Sequence, residues 1–168
     1  GIGAGFVLDG RVWNGYRAMA GEVWALDPGI FHGRYTGETI LDLASGPGLL
    51  RSAQRRLDSG RPSTLAGERL DTATLLAAAD AGDTLAVETV DAGRDAIAGL
   101  LVTVIITLSP DSIVLAGGLC TERHWFIDPI IERVRAWTTV SRLSDVPIYR
   151  AELWDSAVLY GAAELAAG

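Results

Sequence analysis

Residues 109–118 read Ser109-Pro110-Asp111-Ser112-Ile113-Val114-Leu115-Ala116-Gly117-Gly118, and this stretch decides the fold class. Pro110 has no backbone N–H and fixes its own φ, so the apolar segment ahead of it has to stop there. Ile113 to Ala116 is short and continuously apolar, the pattern of a strand in the middle of a sheet. Gly117-Gly118 then turns the chain. Upstream, Val87, Val90, Ala96, Ile97, Leu100, Leu101, Val104 and Ile105 recur at helical spacing, predicting a helix from Asp83 or Thr84 to about Leu108. Its second half is apolar almost all round, which predicts packing on both sides. Downstream, a helix is expected around Pro129 to Thr139, a strand at Pro147 to Leu153 and a closing helix from Ser156 to Ala167. Helices alternating with strands imply an α/β layer structure with a partly parallel sheet.

Further toward the start, Phe6-Val7-Leu8, Asp9-Gly10 and Arg11-Val12-Trp13 read as strand, tight turn and strand. Asp-Gly supplies the positive φ angles that a two-residue hairpin requires. Residues 14–36 carry scattered Gly, Pro and aromatics without a period and predict loop with short turns. From Thr39 to about Leu57 the pattern is helical, broken at Gly46-Pro47-Gly48 with Pro47 near the start of the second helix. Residues 58–70 read as a polar surface connection. Asp71 to Ala81 reads as a short helix with Asp71 or Thr72 as N-cap and Gly82 as its end.

A chain of 168 residues, about half of them apolar, is sized for one domain with a hydrophobic core. The net charge of −7 opposes binding to a phosphate backbone. All 14 basic residues are Arg, and the densest group, Arg51, Arg55 and Arg56, reads as a solvated helix face. Direct DNA reading by this segment is therefore not expected. One cysteine, Cys120, excludes an internal disulfide and a Cys-based zinc site. His32 and His124 stand far apart, without ligand-like spacing, so no metal ligand is assigned. The uncharged run from Ala96 to Pro110 is about fifteen residues, short of the roughly twenty that span a bilayer, and reads as a buried helix. No basic leader precedes the first residue, a Gly inside a glycine-rich stretch, and a preceding piece of chain is expected. The expected setting is cytoplasmic.

Gly1-Ile2-Gly3-Ala4-Gly5 fails as a dinucleotide fingerprint, because the third glycine would fall on Phe6 and a strand follows where a helix is needed. Strand, Gly117-Gly118 and helix is an arrangement that lets backbone approach a nucleotide closely. It is also what a plain structural turn looks like.

Five segments in order resemble one family. They are Gly1 to Gly10 (GIGAGFVLDG), Ala20-Gly21-Glu22, Leu43-Ala44-Ser45-Gly46-Pro47, Ser109 to Gly118, and Ala157-Val158-Leu159-Tyr160-Gly161-Ala162-Ala163. Together they resemble the C-terminal half of ROK proteins, the bacterial sugar kinases and sugar-responsive repressors. The resemblance runs the length of the chain. It implies an actin-like ATPase (ribonuclease H-like) lobe over residues 1–168, with a mixed sheet packed by helices. The N-terminal lobe and any DNA-binding segment would lie outside these residues. It also implies that Gly1 and Gly3 belong to a phosphate-binding element, that Gly117 and Gly118 lie on the adenosine side, and that Glu22 accepts hydrogen bonds from sugar hydroxyls. A carboxylate suits that task, since its oxygens accept several bonds. A lone loop glutamate is otherwise ordinarily solvated. Trp13 and Trp24 nearby read either as sugar-stacking rings or as core and interface aromatics.

The departures from the family pattern are as informative. The family continues Glu-x-Gly-His, where this chain has Glu22-Val23-Trp24-Ala25. The family's cysteine cluster is expected near residues 32–40, where this chain has none. A second sugar-contacting glutamate aligns with Leu41, and Asp42 is one place off. The first phosphate loop and the catalytic aspartate of the family would lie upstream, and phosphoryl transfer needs all these groups positioned together. These residues alone are therefore expected to hold no catalytic residue. The function they imply is the sugar-sensing and oligomerising domain of a regulator with degenerate kinase and zinc motifs. Its ligand would be a small sugar or sugar phosphate, it would form a homo-oligomer, and it would meet DNA only through a preceding segment. The alternative is the C-terminal lobe of an ATP- and magnesium-dependent sugar kinase. A third possibility is a degenerate domain kept for oligomerisation. With the His and Cys positions lost, elemental analysis of the purified protein is expected to find zinc well below one ion per chain. Stoichiometric zinc would show that other residues rebuilt the site.

Overall fold

Side-chain oxygens set where the helices begin. In the computed structural model, which describes residues 1–29, 35–119, 124–139, 142–153 and 156–167, Thr39 opens helix α1 (Ile40–Ala44) with a capping box. Its hydroxyl accepts from the Asp42 amide, and the Asp42 carboxylate accepts from the Thr39 amide. Ser45 opens α2 (Gly46–Asp58), its hydroxyl accepting from the Gly48 amide at 3.1 Å, with Pro47 in the first turn. Asp71 opens α3 (Thr72–Asp80) by accepting from the Thr74 amide at 2.8 Å. Asp83 opens α4 (Thr84–Leu108), accepting from the Ala86 amide at 3.0 Å. The α3 and α4 starts fall where the sequence places them, and α2 starts at the Gly46-Pro47 break.

The residues divide into two compact units, Gly1–Leu100 and Leu101–Gly168. The first begins with an antiparallel hairpin of β1 (Val7–Leu8) and β2 (Arg11–Val12), Val7 opposite Val12 and Leu8 opposite Arg11. Asp9 and Gly10 turn it with φ of 51° and 72°, as the Asp-Gly pair predicts. Short 3-10 turns at Tyr16–Ala18 and Val23–Ala25 follow. The core of this unit is helical. Ile40, Leu49, Ala53, Leu75, Leu76, Leu85, Ala86 and Val90 are buried. On α4, Gly93 lies against the α1–α2 corner so tightly that a Cβ would sit 2.9 Å from the Leu43 carbonyl oxygen and 3.1 Å from Leu49. The helices can approach this closely only because that position has no side chain.

Residues 58–70 are more than a surface connection, because Leu65 is buried. The segment is pinned to the start of α4. The Asp83 carboxylate accepts from the Thr64 amide at 2.7 Å, from the Thr64 hydroxyl at 2.9 Å and from the Ser63 hydroxyl at 3.0 Å. Of the arginines expected to form a solvated face, Arg51 and Arg55 are exposed, and all three are also ion-paired. Arg51 pairs with Asp42 at 3.0 Å, Arg55 with Glu38 at 2.7 Å and Arg56 with Glu88 at 2.9 Å. Arg61 reaches Glu88 through both terminal nitrogens, at 2.6 and 2.8 Å.

In the second unit β3 (Ile113–Leu115) pairs in parallel with β4 (Ile148–Arg150), Val114 opposite Tyr149. Between them come α5 (His124–Trp137) and a 3-10 turn at Arg142–Asp145 that packs on it, and α6 (Ala157–Ala167) follows β4. Phe126, Ile127, Ile130, Val134 and Val146 are buried. Arg150 on β4 is ion-paired with Asp128 on α5.

Four expectations change here. Among the described residues β3 pairs only with β4, and Val114 is 59% exposed, so β3 is not a strand buried on both faces. In the second half of α4, Leu101 and Ile105 are buried while Ile106 is 59% exposed. An apolar run reports composition, and burial is uneven around the helix: Ala98 and Leu100 are buried as well, while Leu108 is 46% exposed. Helix α5 begins before Pro129, which lies inside it. Strand β4 is shorter than the expected Pro147 to Leu153 and begins after Pro147, which has no N–H to give a ladder. Among the described residues no helix is long and apolar enough to cross a membrane. Cys120 and His32 lie outside the described residues.

Burial alone would raise the Asp83 carboxyl, but the amides of Thr64 and Ala86 and the hydroxyls of Thr64 and Ser63 outweigh it and bring it from 3.8 to about 2. A carboxylate lowered by folding stabilises the fold above its unfolded value, and the benefit disappears as pH falls through the folded value. Asp83→Ala is expected to cost about 2 kcal/mol in urea unfolding at pH 7, combining a lost helix cap with lost loop anchors. The difference from the unsubstituted chain should shrink as pH is lowered from 3.8 toward 2.

Candidate functional site

The candidate residues of the first unit lie on two backbone segments that meet. The Ala4 amide donates to the Gly21 carbonyl at 3.0 Å, joining the opening glycine stretch to the loop that carries Glu22. Gly21 has φ of +89°, and a Cβ there would sit 1.8 Å from the Ala4 carbonyl oxygen. Both its conformation and its crowding therefore require glycine. In the sequence Gly21 reads only as part of the Ala-Gly-Glu pattern. The reason for it lies in a partner 17 positions away.

Glu22 precedes the 3-10 turn Val23–Ala25 and is exposed. The turn is closed by the Leu26 amide donating to the Val23 carbonyl at 3.2 Å, and it packs on α1. The Ile40 amide donates to the Leu26 carbonyl at 2.8 Å and ties the end of the turn to the first residue of that helix. Trp24, 40% exposed, donates its indole N–H to the Glu22 carboxylate. The structure thus joins Trp24 to Glu22, whereas Phe6 and Trp13 meet edge to face across the hairpin with centroids 6.1 Å apart.

Beyond the turn, Asp27 is 3% exposed. Its carboxylate accepts from the Gly29 amide at 2.8 Å, the Thr36 amide at 2.7 Å, the Thr36 hydroxyl at 2.8 Å and the Gly37 amide at 2.7 Å. Burial alone would raise this carboxyl. The four donors outweigh it and hold it below the ordinary carboxylate value. Sequence reading passed over Asp27, since an aspartate before Pro28-Gly29 looks like any turn residue.

Asp42, one place from the position of the second sugar-contacting glutamate, has structural partners. It is occupied by Thr39 and by Arg51, and the Thr39 hydroxyl, the Thr39 amide and Arg51 together lower its carboxyl. Among the described residues, a Cβ built at Gly1, Gly3 or Gly5 would meet nothing within 4 Å, so no neighbouring protein atom requires glycine at these positions. In the second unit Gly117 follows β3 with φ of +112°, which favours glycine, while Gly118 faces open space. Trp24 and Ala25 stand where the family pattern has Gly and His, and neither side chain is a metal ligand.

A model of the ROK family matches residues 1–168. The N-acetylgalactosamine kinase AgaK of Shewanella sp. (strain ANA-3) is 30% identical over 123 residues, covering 71% of this chain and 39% of that protein. The structure of a ROK hexokinase from Thermus thermophilus superposes with a TM-score of 0.75 at 28% identity, covering 99% of this chain and 55% of that one. A ROK family transcriptional regulator, a homologue of the E. coli MLC protein, superposes with a TM-score of 0.74 at 25% identity, covering 96% of this chain and 42% of that one. This chain spans half the length or less of the curated relatives it matches. The α/β fold of helices around small sheets is that of these actin-like ATPase relatives.

Gly21→Ala is expected to destabilise the chain by about 2 kcal/mol or more, since it imposes both left-handed strain and a backbone clash. Gly3→Ala, in open space, should stay within about 0.5 kcal/mol. Thermal or urea unfolding of the two variants side by side measures the contrast.

Proposed function

This chain belongs to the ROK family, and on that premise we propose that it is the sugar-sensing and oligomerising domain of a transcriptional regulator of that family. The observation carrying this reading is the segment Glu22-Val23-Trp24-Ala25. It keeps the carboxylate that would accept sugar hydroxyls but replaces the Gly and His that follow it in the family pattern. Supporting it are the pinned loop that presents Glu22 and the occupation of Asp42 by structural partners. A regulator needs a sugar-dependent change in stability or association, to which a carboxylate on a preformed loop contributes an acceptor for hydroxyls. It does not need the cradle for phosphoryl transfer. Gly1, Gly3, Gly117 and Gly118 are then vestiges of a nucleotide site. Residues 1–168 form the C-terminal lobe, and the N-terminal lobe and a DNA-reading segment belong to the rest of the parent protein, a cytoplasmic homo-oligomer.

The likeness to a sugar kinase at 30% identity favours a second reading, the C-terminal lobe of an ATP- and magnesium-dependent kinase. The full-length protein separates the two. Under the regulator reading, a panel of hexoses and their phosphates raises its melting temperature, Glu22→Gln removes the shift, and no sugar is phosphorylated in the presence of ATP and magnesium. Turnover of any sugar would establish the kinase instead. A sugar-dependent shift that survives Glu22→Gln would remove Glu22 from the site.

A further inference from the structure

Trp24 stands out among the exposed aromatics because its only polar atom is committed to a candidate site residue. The indole N–H is a donor with no acceptor capacity, and it points to one oxygen, Oε2, of the Glu22 carboxylate. A glycine at this position, as in the family pattern, offers no such bond. The turn that carries the indole is fixed from beneath by its packing on α1 and by the bond from Ile40 to Leu26, so the ring is positioned before any ligand arrives. With 40% of the residue exposed, part of the ring remains open beside the carboxylate.

We propose that Trp24 is a positioning and specificity residue of the Glu22 site. It holds Oε2, turns Oε1 outward as the acceptor for a ligand hydroxyl, and offers its ring face as an apolar wall. The ligand that fits is a neutral hexose, with a hydroxyl to donate to Oε1 and a ring face of C–H groups to lie on the indole. A carboxylate held in one orientation loses less freedom on binding than a free one, so the indole bond contributes to affinity without touching the hydroxyl itself. This inference rests on the reading of Glu22 as a sugar contact.

The test uses the full-length protein with D-glucose, D-mannose and D-galactose as probes, calorimetric affinities, and the indole N–H resonances of 15N-tryptophan-labelled protein. Trp24→Phe keeps a ring and removes the donor, and should weaken the best hexose about tenfold, the loss of one hydrogen bond to a charged group. Trp24→Gly should weaken it at least as much. The resonance missing in Trp24→Phe identifies the Trp24 indole. It should move in Glu22→Gln, because its acceptor changes, and also during the hexose titration, which a tryptophan remote from the ligand would not do. Unchanged affinity in Trp24→Phe, alongside lost binding in Glu22→Gln, overturns the role of Trp24 and leaves Glu22 in place. Tighter binding by Trp24→Gly overturns it too, showing a ring that blocks the site. Unchanged binding in Glu22→Gln, or no hexose bound by the unsubstituted protein, overturns the underlying reading of Glu22.

Discussion

The buried carboxylate of Asp27 is the constraint on which the candidate site depends. The segment between the hairpin and α1 has little apolar core, for Trp13, Tyr16, Met19 and Trp24 are exposed. What fixes it is hydrogen bonding. Asp27 gathers Gly29, Thr36 and Gly37, Leu26 is bonded to Ile40, and Gly21 to Ala4. A buried carboxylate is costly unless it is fully partnered, and fully partnered it specifies one conformation. Glu22 and Trp24 lie between these anchor points, on a short turn that the helical layer supports.

Much of the fold is legible in the sequence because local chemistry dictates it. Thr39, Ser45, Asp71 and Asp83 cap helices that start one residue later, and Asp9-Gly10 turns the hairpin through its positive φ angles. What escapes the sequence depends on distant partners. Arg55 reaches Glu38 and Arg61 reaches Glu88, pairings no local pattern announces. The same holds for the crowding at Gly93 and Gly21, which arises where separate segments touch. The apolar end of α4 is misread for a related reason, since hydrophobic periodicity says what a helix would bury and not what is there to cover it.

The candidate site divides in the same way. The family pattern points to Glu22 by position, but its indole partner is visible only once the 3-10 turn brings residues two apart into reach. Asp42 carries the opposite lesson. An acidic residue one place from a site position attracts attention in the sequence, yet its oxygens serve a capping box and an arginine. Position in a motif and availability for chemistry are separate properties. The relatives include both a sugar kinase and a transcriptional regulator, so one scaffold supports either use.

Glu88 gives the fold an uneven tolerance to sequence drift. It is a shared acceptor, bound by Arg56 from α2 and by Arg61 from the connection that follows. Replacing either arginine leaves the other pair in place, so each is individually expendable. Replacing Glu88 leaves two guanidinium groups facing each other without a counter-charge, and an attraction becomes a repulsion. The three positions are therefore not equivalent under mutation. Losing the acidic residue removes both pairs at once, whereas losing either arginine removes one.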